Sequence, residues 1–329
     1  MPSVFIKRRA ILLEKLENTP VGTPIASVTK PNPYIQAATR DNTRKAYQQD
    51  IRHFSSWGVL PTTSECIVLY LQAFASQLNP RTLMRRLTAL KNWHVYQGFS
   101  DPTASPWVRK TLKGILNVHG KPKNRALALS VEQLTQMVLW LKEQNTLAMY
   151  RNNALLQMGF FGAFRASELA NLQLEDISFV PEGIDVLIPR SKTDPIGSGQ
   201  SCAIPYGQGE LCPVRALKIW CEKAEITEGA IFRGINSHEQ LNAQSLSPQS
   251  ISLVIKKVAI ACQIPQANTF SSHSLRRGFA TTASRKGAPF ISIMRHGRWR
   301  NESTVLAYIA EGQRFEFNAA QIILNDPAD

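Results

Sequence analysis

The sequence predicts a mainly α-helical protein with a small β-sheet, built as an N-terminal helical module followed by a mixed α/β half. Three observations predict it. Apolar residues recur at helical spacing through most of the 329 residues. Alternating, β-branched runs are concentrated between residues 184 and 205. The segment HGKPKNRA at 119 to 126 carries Gly, Pro and cations but no large apolar anchor, the composition of a linker. At this length, with 43% apolar residues, the chain has material for two cores.

Taken in order, residues 1 to 35 hold Pro20, Pro24, Pro31 and Pro33 among Thr, Ser and Gly. They read as a flexible arm with at most one helix around 8 to 17. From 38 to 57, Ala46, Tyr47, Ile51 and Phe54 share one helical face, while Arg40, Arg44, Lys45 and Arg52 lie elsewhere, and Gly58 ends the pattern. A second helix spans 63 to 77 through Cys66, Leu69, Tyr70 and Phe74. A third runs from Pro80 to about 96, burying Leu83, Leu87, Leu90 and Trp93 and showing Arg81, Arg85, Arg86 and Lys91. The fourth, 106 to 119, buries Trp107, Leu112, Ile115 and Leu116 and shows Arg109, Lys110 and Lys113. These bounds give a helical module over 36 to 118, a linker over 119 to 126 and a second half over 127 to 329.

In that half, helices are expected at 130 to 143 and 150 to 161. A hairpin follows, with arms IDVLIP and SCAIP and turn residues DPIGSG. Two further helices, near 213 to 223 and 248 to 262, have proline at the first turn. From Ser272 the chain is helical again, interrupted at 287 to 289 and near Gly297.

Charge is distributed unevenly. The net charge is +14, and residues 36 to 126 carry 14 basic against 4 acidic side chains, whereas 127 to 329 carry 19 against 18. Four amphipathic helices with cationic outer faces are expected to bind duplex nucleic acid, with Arg40, Arg44, Arg81, Arg85, Arg86 and Lys91 as the candidate contacts. Neutralising about 6 to 10 phosphates would weaken binding by about 10³ to 10⁵ between 50 and 200 mM salt. The apolar run at 11 to 13 is too brief for a signal-peptide core, and no run approaches a membrane span of about 20 residues. Five cysteines without a C-x-x-C pair suit reduced thiols, so the expected compartment is the cytoplasm, without a membrane partner and without zinc.

Familiar cofactor motifs fail. Between Gly114 and Gly120 there are five residues where a phosphate-binding P-loop has four, and Pro122 stands where a hydroxyl should hold magnesium. His238-Glu239 opens a zincin-like motif, but Asn242 occupies the second histidine position. No cofactor and no metal is therefore expected. What remains is Arg165 in GAFRASELANL, Lys192 in PRSKTDP, His273 and Arg276 in HSLRRG, Trp299 in RHGRWRN and Tyr308 in STVLAY.

In order and spacing, these residues resemble the tyrosine recombinases of the lambda-integrase superfamily. Arg165 with Glu168 matches the first arginine box, Lys192 the hairpin lysine, and His273-x-x-Arg276 the second box, with Tyr308 as nucleophile 32 residues after Arg276. Nine residues before the tyrosine stands Trp299, as in Cre-type recombinases; His296, three residues earlier, competes for that role. The resemblance covers 36 to 329 and implies a core-binding domain followed by a catalytic domain.

The chemistry fits. In-line attack on a phosphodiester builds negative charge on its non-bridging oxygens, which the always-charged forks of Arg165 and Arg276 suit. Tyrosine, with a solution pKa near ~10, needs positive charge and a proton acceptor, for which His273 serves as general base. Lys192 is expected to reach the leaving 5′ oxygen as general acid, the Trp299 N–H to bond a phosphate oxygen, and Glu168 to orient Arg165 or His273. The product is a 3′-phosphotyrosine that rejoins DNA without ATP.

The resemblance further implies strand exchange through a four-way junction in a homotetramer on two DNA sites with short inverted repeats. The apolar stripe Phe315, Phe317, Ala320, Ile322, Ile323 and Leu324 would then exchange between protomers. An arm of about 35 residues is short for an arm-site domain. It suggests action without accessory proteins in dimer or cointegrate resolution, or integration and excision of a mobile element, on nucleoid DNA. A type IB topoisomerase-like relaxing enzyme and a catalytically silent DNA-binding regulator are the alternatives on the same scaffold.

Overall fold

The structure, a computed structural model, describes residues 34, 38–122, 126–189, 199–314, 320 and 324. Most of the expected arm, the hairpin turn with Lys192 and most of the C-terminal apolar stripe lie outside the described residues. The chain divides into two compact units, Met1–Lys123 and Asn124–Asp329, and the division falls within the basic 119 to 126 segment. As expected, the described residues are mainly helical with small antiparallel sheets, and none of their helices is long and apolar enough to cross a membrane.

The first unit holds α1 (Asp41–Ser55), α2 (Ser64–Phe74), α3 (Pro80–Tyr96) and α4 (Pro106–His119). Local chemistry starts the middle two. The Thr63 hydroxyl accepts from the Cys66 N–H at 3.3 Å, and the Asn79 side chain accepts from the Arg81 N–H at 2.9 Å just before Pro80. Phe54, Ile67, Tyr70, Leu71, Leu83, Leu90 and Val108 form the core.

Periodicity misjudged two faces here. Trp107 is 73% exposed and Val108 takes the core position, paired with Ile115 two turns on. Leu69 is likewise exposed, and its neighbour Tyr70 holds the core position together with Ile67 and Leu71. A helix turns about 100° per residue, so adjacent apolar residues compete for one core position.

Arg86 corrects the charge reading. Instead of standing on the cationic outer face, it is buried, with Nε 3.4 Å from Asp50 Oδ1 and Nη1 donating to the Tyr70 hydroxyl and His53 Nδ1, both at 2.8 Å. Asp50, itself only 1% exposed, also accepts both arms of Arg85 at 2.8 and 3.0 Å, leaving the Arg85 guanidinium half in solvent. The charge of Arg86 thus offsets a buried carboxylate between α1 and α3 and is not presented for binding. Burial and the Arg86 charge hold His53 below its ordinary pKa, consistent with an unprotonated Nδ1. Arg44 pairs with Asp41, and Lys91 lies 3.7 Å from Asp101, whereas Arg40 and Arg81 stand on the surface. Asp50→Ala leaves Arg86 buried without its carboxylate and should cost about 3–5 kcal/mol in urea denaturation; a loss under about 1 kcal/mol would reduce the pair to a surface ion pair.

The second unit is built round α6 (Leu147–Phe161), buried on several sides through Leu155, Leu156, Met158 and Phe160. Around it lie α5 (Val131–Gln144), α7 (Ala166–Ala170), α8 (Pro213–Lys223), α9 (Pro248–Ala261) and α10 (Ser272–Arg285), then α11 (Phe290–Gly297) and α12 (Glu302–Gly312). A three-stranded antiparallel sheet runs β1 (Ile177–Val180), β2 (Gly183–Ile188), β3 (Gln200–Pro205), with Ile184 opposite Ile204 and Val186 opposite Cys202 on its buried face. A second sheet pairs β4 (Arg233–Ile235) with β5 (Leu241–Ser245).

The hairpin expected at 184 to 205 is thus β2 and β3. Strand β1 and the second sheet were not legible because β1 buries one of four residues and β5 buries none. Gly278 lets α10 approach the loop before α5: a Cβ there would overlap the Leu129 carbonyl, whose own N–H donates to the Ser274 carbonyl at 3.0 Å.

Candidate active site

Two turns and two helices of the second unit meet at the residues singled out in the sequence. The first turn, 162 to 165, joins α6 to α7 and ends on Arg165, the residue that caps α7. The Arg165 N–H donates to Glu168 Oε2 at 3.0 Å while its guanidinium pairs with Oε1, so one carboxylate fixes both the helix start and the fork. Arg276 lies on α10 and is 4% exposed. Its two terminal nitrogens donate to the carbonyls of Ala163 in the first turn and Gly297 in the second, at the end of α11.

Trp299 follows Gly297 in that second turn, and its ring lies 4.1 Å from the Arg276 guanidinium carbon. Gly297 is required for this fit, since a Cβ there would overlap the indole. Tyr308, on α12, meets the same indole edge-to-face with ring centroids 6.0 Å apart. Arg165, Arg276, Trp299 and Tyr308 are therefore brought together, with Glu168 behind Arg165. His273 is exposed on the first turn of α10, one helical turn before Arg276. Lys192 lies outside the described residues.

His296 does not share the position of Trp299. Its Nε2 donates to the Phe161 carbonyl at 2.6 Å and its ring stacks on Phe279 at 4.6 Å. Burial, with the charges of Arg298 and Arg276, holds it below the ordinary histidine value, so it is neutral near pH 7.

Two further arginines were missed. Arg277, beside Arg276, pairs with Glu311, donates to the Ala126 carbonyl and sits 5.4 Å over the Tyr308 ring. Arg298, between Gly297 and Trp299, is buried against Glu168 at 3.3 Å. Nothing in their spacing distinguishes them from the chain's other cations; adjacency to Arg276 and Trp299 is the one available signal.

Electrostatically the cluster is under-neutralised. Among the described residues, Arg165, Arg276 and Arg298 face one carboxylate, Glu168, while Arg277 is matched by Glu311. Burial and the nearby Arg165 charge push Arg276 down to about 9, which still leaves it a cation at pH 7. Burial would raise Glu168, but Arg298 and then the N–H and charge of Arg165 outweigh it and hold the carboxyl below its usual range. Its contribution to stability is therefore complete above the ordinary carboxylate pKa and is lost as pH falls through the lowered one. A site with two such forks and surplus positive charge is suited to a phosphate.

The profile of the phage integrase family matches residues 128–314, more than half of the chain and all of the described cluster. The chain belongs to the phage integrase family of tyrosine recombinases. As a tyrosine recombinase it is a DNA strand-transferase enzyme of site-specific recombination. It is 37% identical over 301 residues to an integrase/recombinase XerD homolog of Selenomonas ruminantium, covering 88% of each chain. Identity to tyrosine recombinase XerD of Staphylococcus aureus is 24% over 275 residues, 79% of this chain and 84% of that protein. In fold it is similar to the XerH site-specific recombinase in a post-cleavage complex with palindromic difH substrate (TM-score 0.62, 17% identity, 86% and 80% coverage). The Tn1549 transposon integrase in complex with transposon right end DNA also shares the fold (TM-score 0.59, 13% identity, 84% and 93% coverage).

Proposed function

We propose that this recombinase cuts and rejoins duplex DNA through a 3′-phosphotyrosine, with Tyr308 as nucleophile and Arg165 and Arg276 as the phosphate clamp. One observation carries the reading: two guanidinium forks, one of them buried, stand in the same cluster as Trp299 and Tyr308, and among the described residues Glu168 is the one carboxylate paired with a fork. A bound phosphodiester would supply the missing negative charge. The forks would take up charge developing on its non-bridging oxygens, and the indole N–H of Trp299 would donate to one of them.

In the proposed step the Tyr308 oxygen forms a bond to phosphorus as the bond to the 5′ oxygen breaks. The tyrosine proton passes to His273, and Lys192 delivers one to the leaving oxygen. The phosphotyrosine conserves the bond energy, so a second 5′ hydroxyl can reverse the step without ATP or metal. We read the partner as duplex DNA carrying short inverted repeats, bound by a homotetramer that passes through a four-way junction without accessory proteins. Arg40, Arg44, Arg81, Arg85 and Lys91 are its proposed backbone and groove contacts. The biological role would be resolution of dimers or cointegrates, or movement of a mobile element, on nucleoid DNA.

Incubating the protein with nicked suicide substrates, and then with two sites, tests this. A covalent protein–DNA adduct followed by strand exchange is expected. Adduct and relaxation without exchange would indicate a topoisomerase-like enzyme, and no adduct a silent DNA-binding regulator.

A further inference from the structure

A buried cation in an uncommon backbone conformation is costly, and Arg298 is one. It is 6% exposed, and its φ of 56° lies in the left-handed region that favours glycine. The guanidinium donates to the carbonyls of His296 at 2.7 Å and Gly162 at 2.9 Å, with Ala163 O at 3.4 Å and Glu168 Oε2 at 3.3 Å. Three of these four acceptors belong to, or hold, the turn that carries Arg165.

The same atoms support the other two arginines. Glu168 holds the Arg165 fork, and the Ala163 carbonyl also accepts from Arg276. The backbone carbonyl of Arg298 accepts from Arg165 Nη2 at 3.3 Å, while that of Gly297 accepts from Arg276. Arg298 thus ties the 162 to 165 turn to the 297 to 299 turn from beneath, away from solvent. Its charge also shares Glu168. Without it, the whole carboxylate charge would draw the Arg165 fork away from an incoming anion.

We infer that Arg298 is a positioning residue for strand cleavage, which sets the separation of the Arg165 and Arg276 forks without itself touching DNA. This rests on the proposed reading of the cluster as a phosphodiester-cleavage site. Displacing a reacting group by about 1 Å costs on the order of 10²-fold in rate, so binding and rate should separate.

The full-length chain, its Arg298→Gly and Arg298→Lys variants, and Glu168→Gln with and without Arg298→Gly are compared on a nicked suicide substrate. Affinity and single-turnover cleavage at saturating protein are measured separately. Glycine is the informative replacement because it removes the guanidinium while accepting the backbone conformation. Arg298→Gly is expected to cleave about 10²-fold more slowly at an affinity within about threefold of the parent. Arg298→Lys, which keeps the charge but has no fork to span four acceptors, should cleave at least about tenfold more slowly than the parent. Glu168→Gln added to Arg298→Gly should slow cleavage less than it does alone, since the two side chains act as a unit.

Cleavage by Arg298→Gly within threefold of the parent overturns the inference. So does a loss of affinity as large as the loss of rate, or multiplicative effects in the double variant. If the glycine variant folds poorly, parental cleavage by Arg298→Lys overturns it equally. Absence of any adduct with the parent protein would instead overturn the reading of the site, a result distinct from all of these.

Discussion

Replacing Tyr308 by Phe is expected to abolish the covalent DNA adduct and strand exchange while leaving DNA affinity within about twofold. Loss of a nucleophile costs on the order of 10⁴ or more in rate, so the adduct should fall below detection on a denaturing gel. The variant is well matched to the question. What holds the side chain is its ring, edge-to-face on Trp299 at 6.0 Å and under the Arg277 cation at 5.4 Å, and phenylalanine keeps both contacts. The Arg277–Glu311 pair, which fixes α12 one turn beyond the tyrosine, is also untouched. An adduct formed by the phenylalanine protein would place the nucleophile elsewhere.

The second large effect is expected at Arg276. Arg276→Lys retains a positive charge but replaces a planar fork by a single ammonium, and the native fork reaches two carbonyls contributed by different turns, Ala163 and Gly297. It also gives up the stacking on Trp299 at 4.1 Å. Single-turnover cleavage should drop about 10² to 10³-fold, the usual loss on removing one preorganised donor to a developing oxyanion. Arg276→Ala should be worse still, because the cation is lost as well, the Gly297 carbonyl loses the Arg276 donor and the Ala163 carbonyl keeps only the longer contact from Arg298 at 3.4 Å. Cleavage by the lysine variant within about tenfold of the parent would show that charge alone, without the fork, serves the reaction.

Much of the cluster could be seen in the chain itself because its members sit in fixed order within local motifs. Arg165 and Glu168 are three residues apart, a spacing that makes a capped helix start, and the structure uses it as one. His273 and Arg276 are one turn apart on a helix begun by Ser271. Spacing from Tyr308 ranked Trp299 before His296, but the surroundings of the histidine were not legible: the Phe161 carbonyl and the Phe279 ring, which engage it, come from elements distant in sequence. Arg298 and Arg277 were invisible for the same reason: their partners are Glu168, Gly162, Ala126 and Glu311, none of which a helical or strand period points to.

Adjacent residues of like type set the other limit. Arg85 and Arg86 are indistinguishable by composition, yet Arg85 keeps its guanidinium half in solvent and Arg86 is buried beside Tyr70. Trp107 and Val108 divide in the same way. A helix separates neighbours by about 100°, and only the packing partner selects which of the two faces inward.

By itself, then, the sequence determined the helical class, the β2–β3 hairpin and the uneven charge of the two halves, each of which follows from local periodicity or residue type, and its resemblance to the tyrosine recombinases singled out Arg165, Arg276, Trp299 and Tyr308. Tertiary structure alone decided which arginines are spent inside and which meet at the anion-ready cluster. A guanidinium acquires its role from the carboxylate or carbonyl it reaches, and those acceptors are brought to it by the fold.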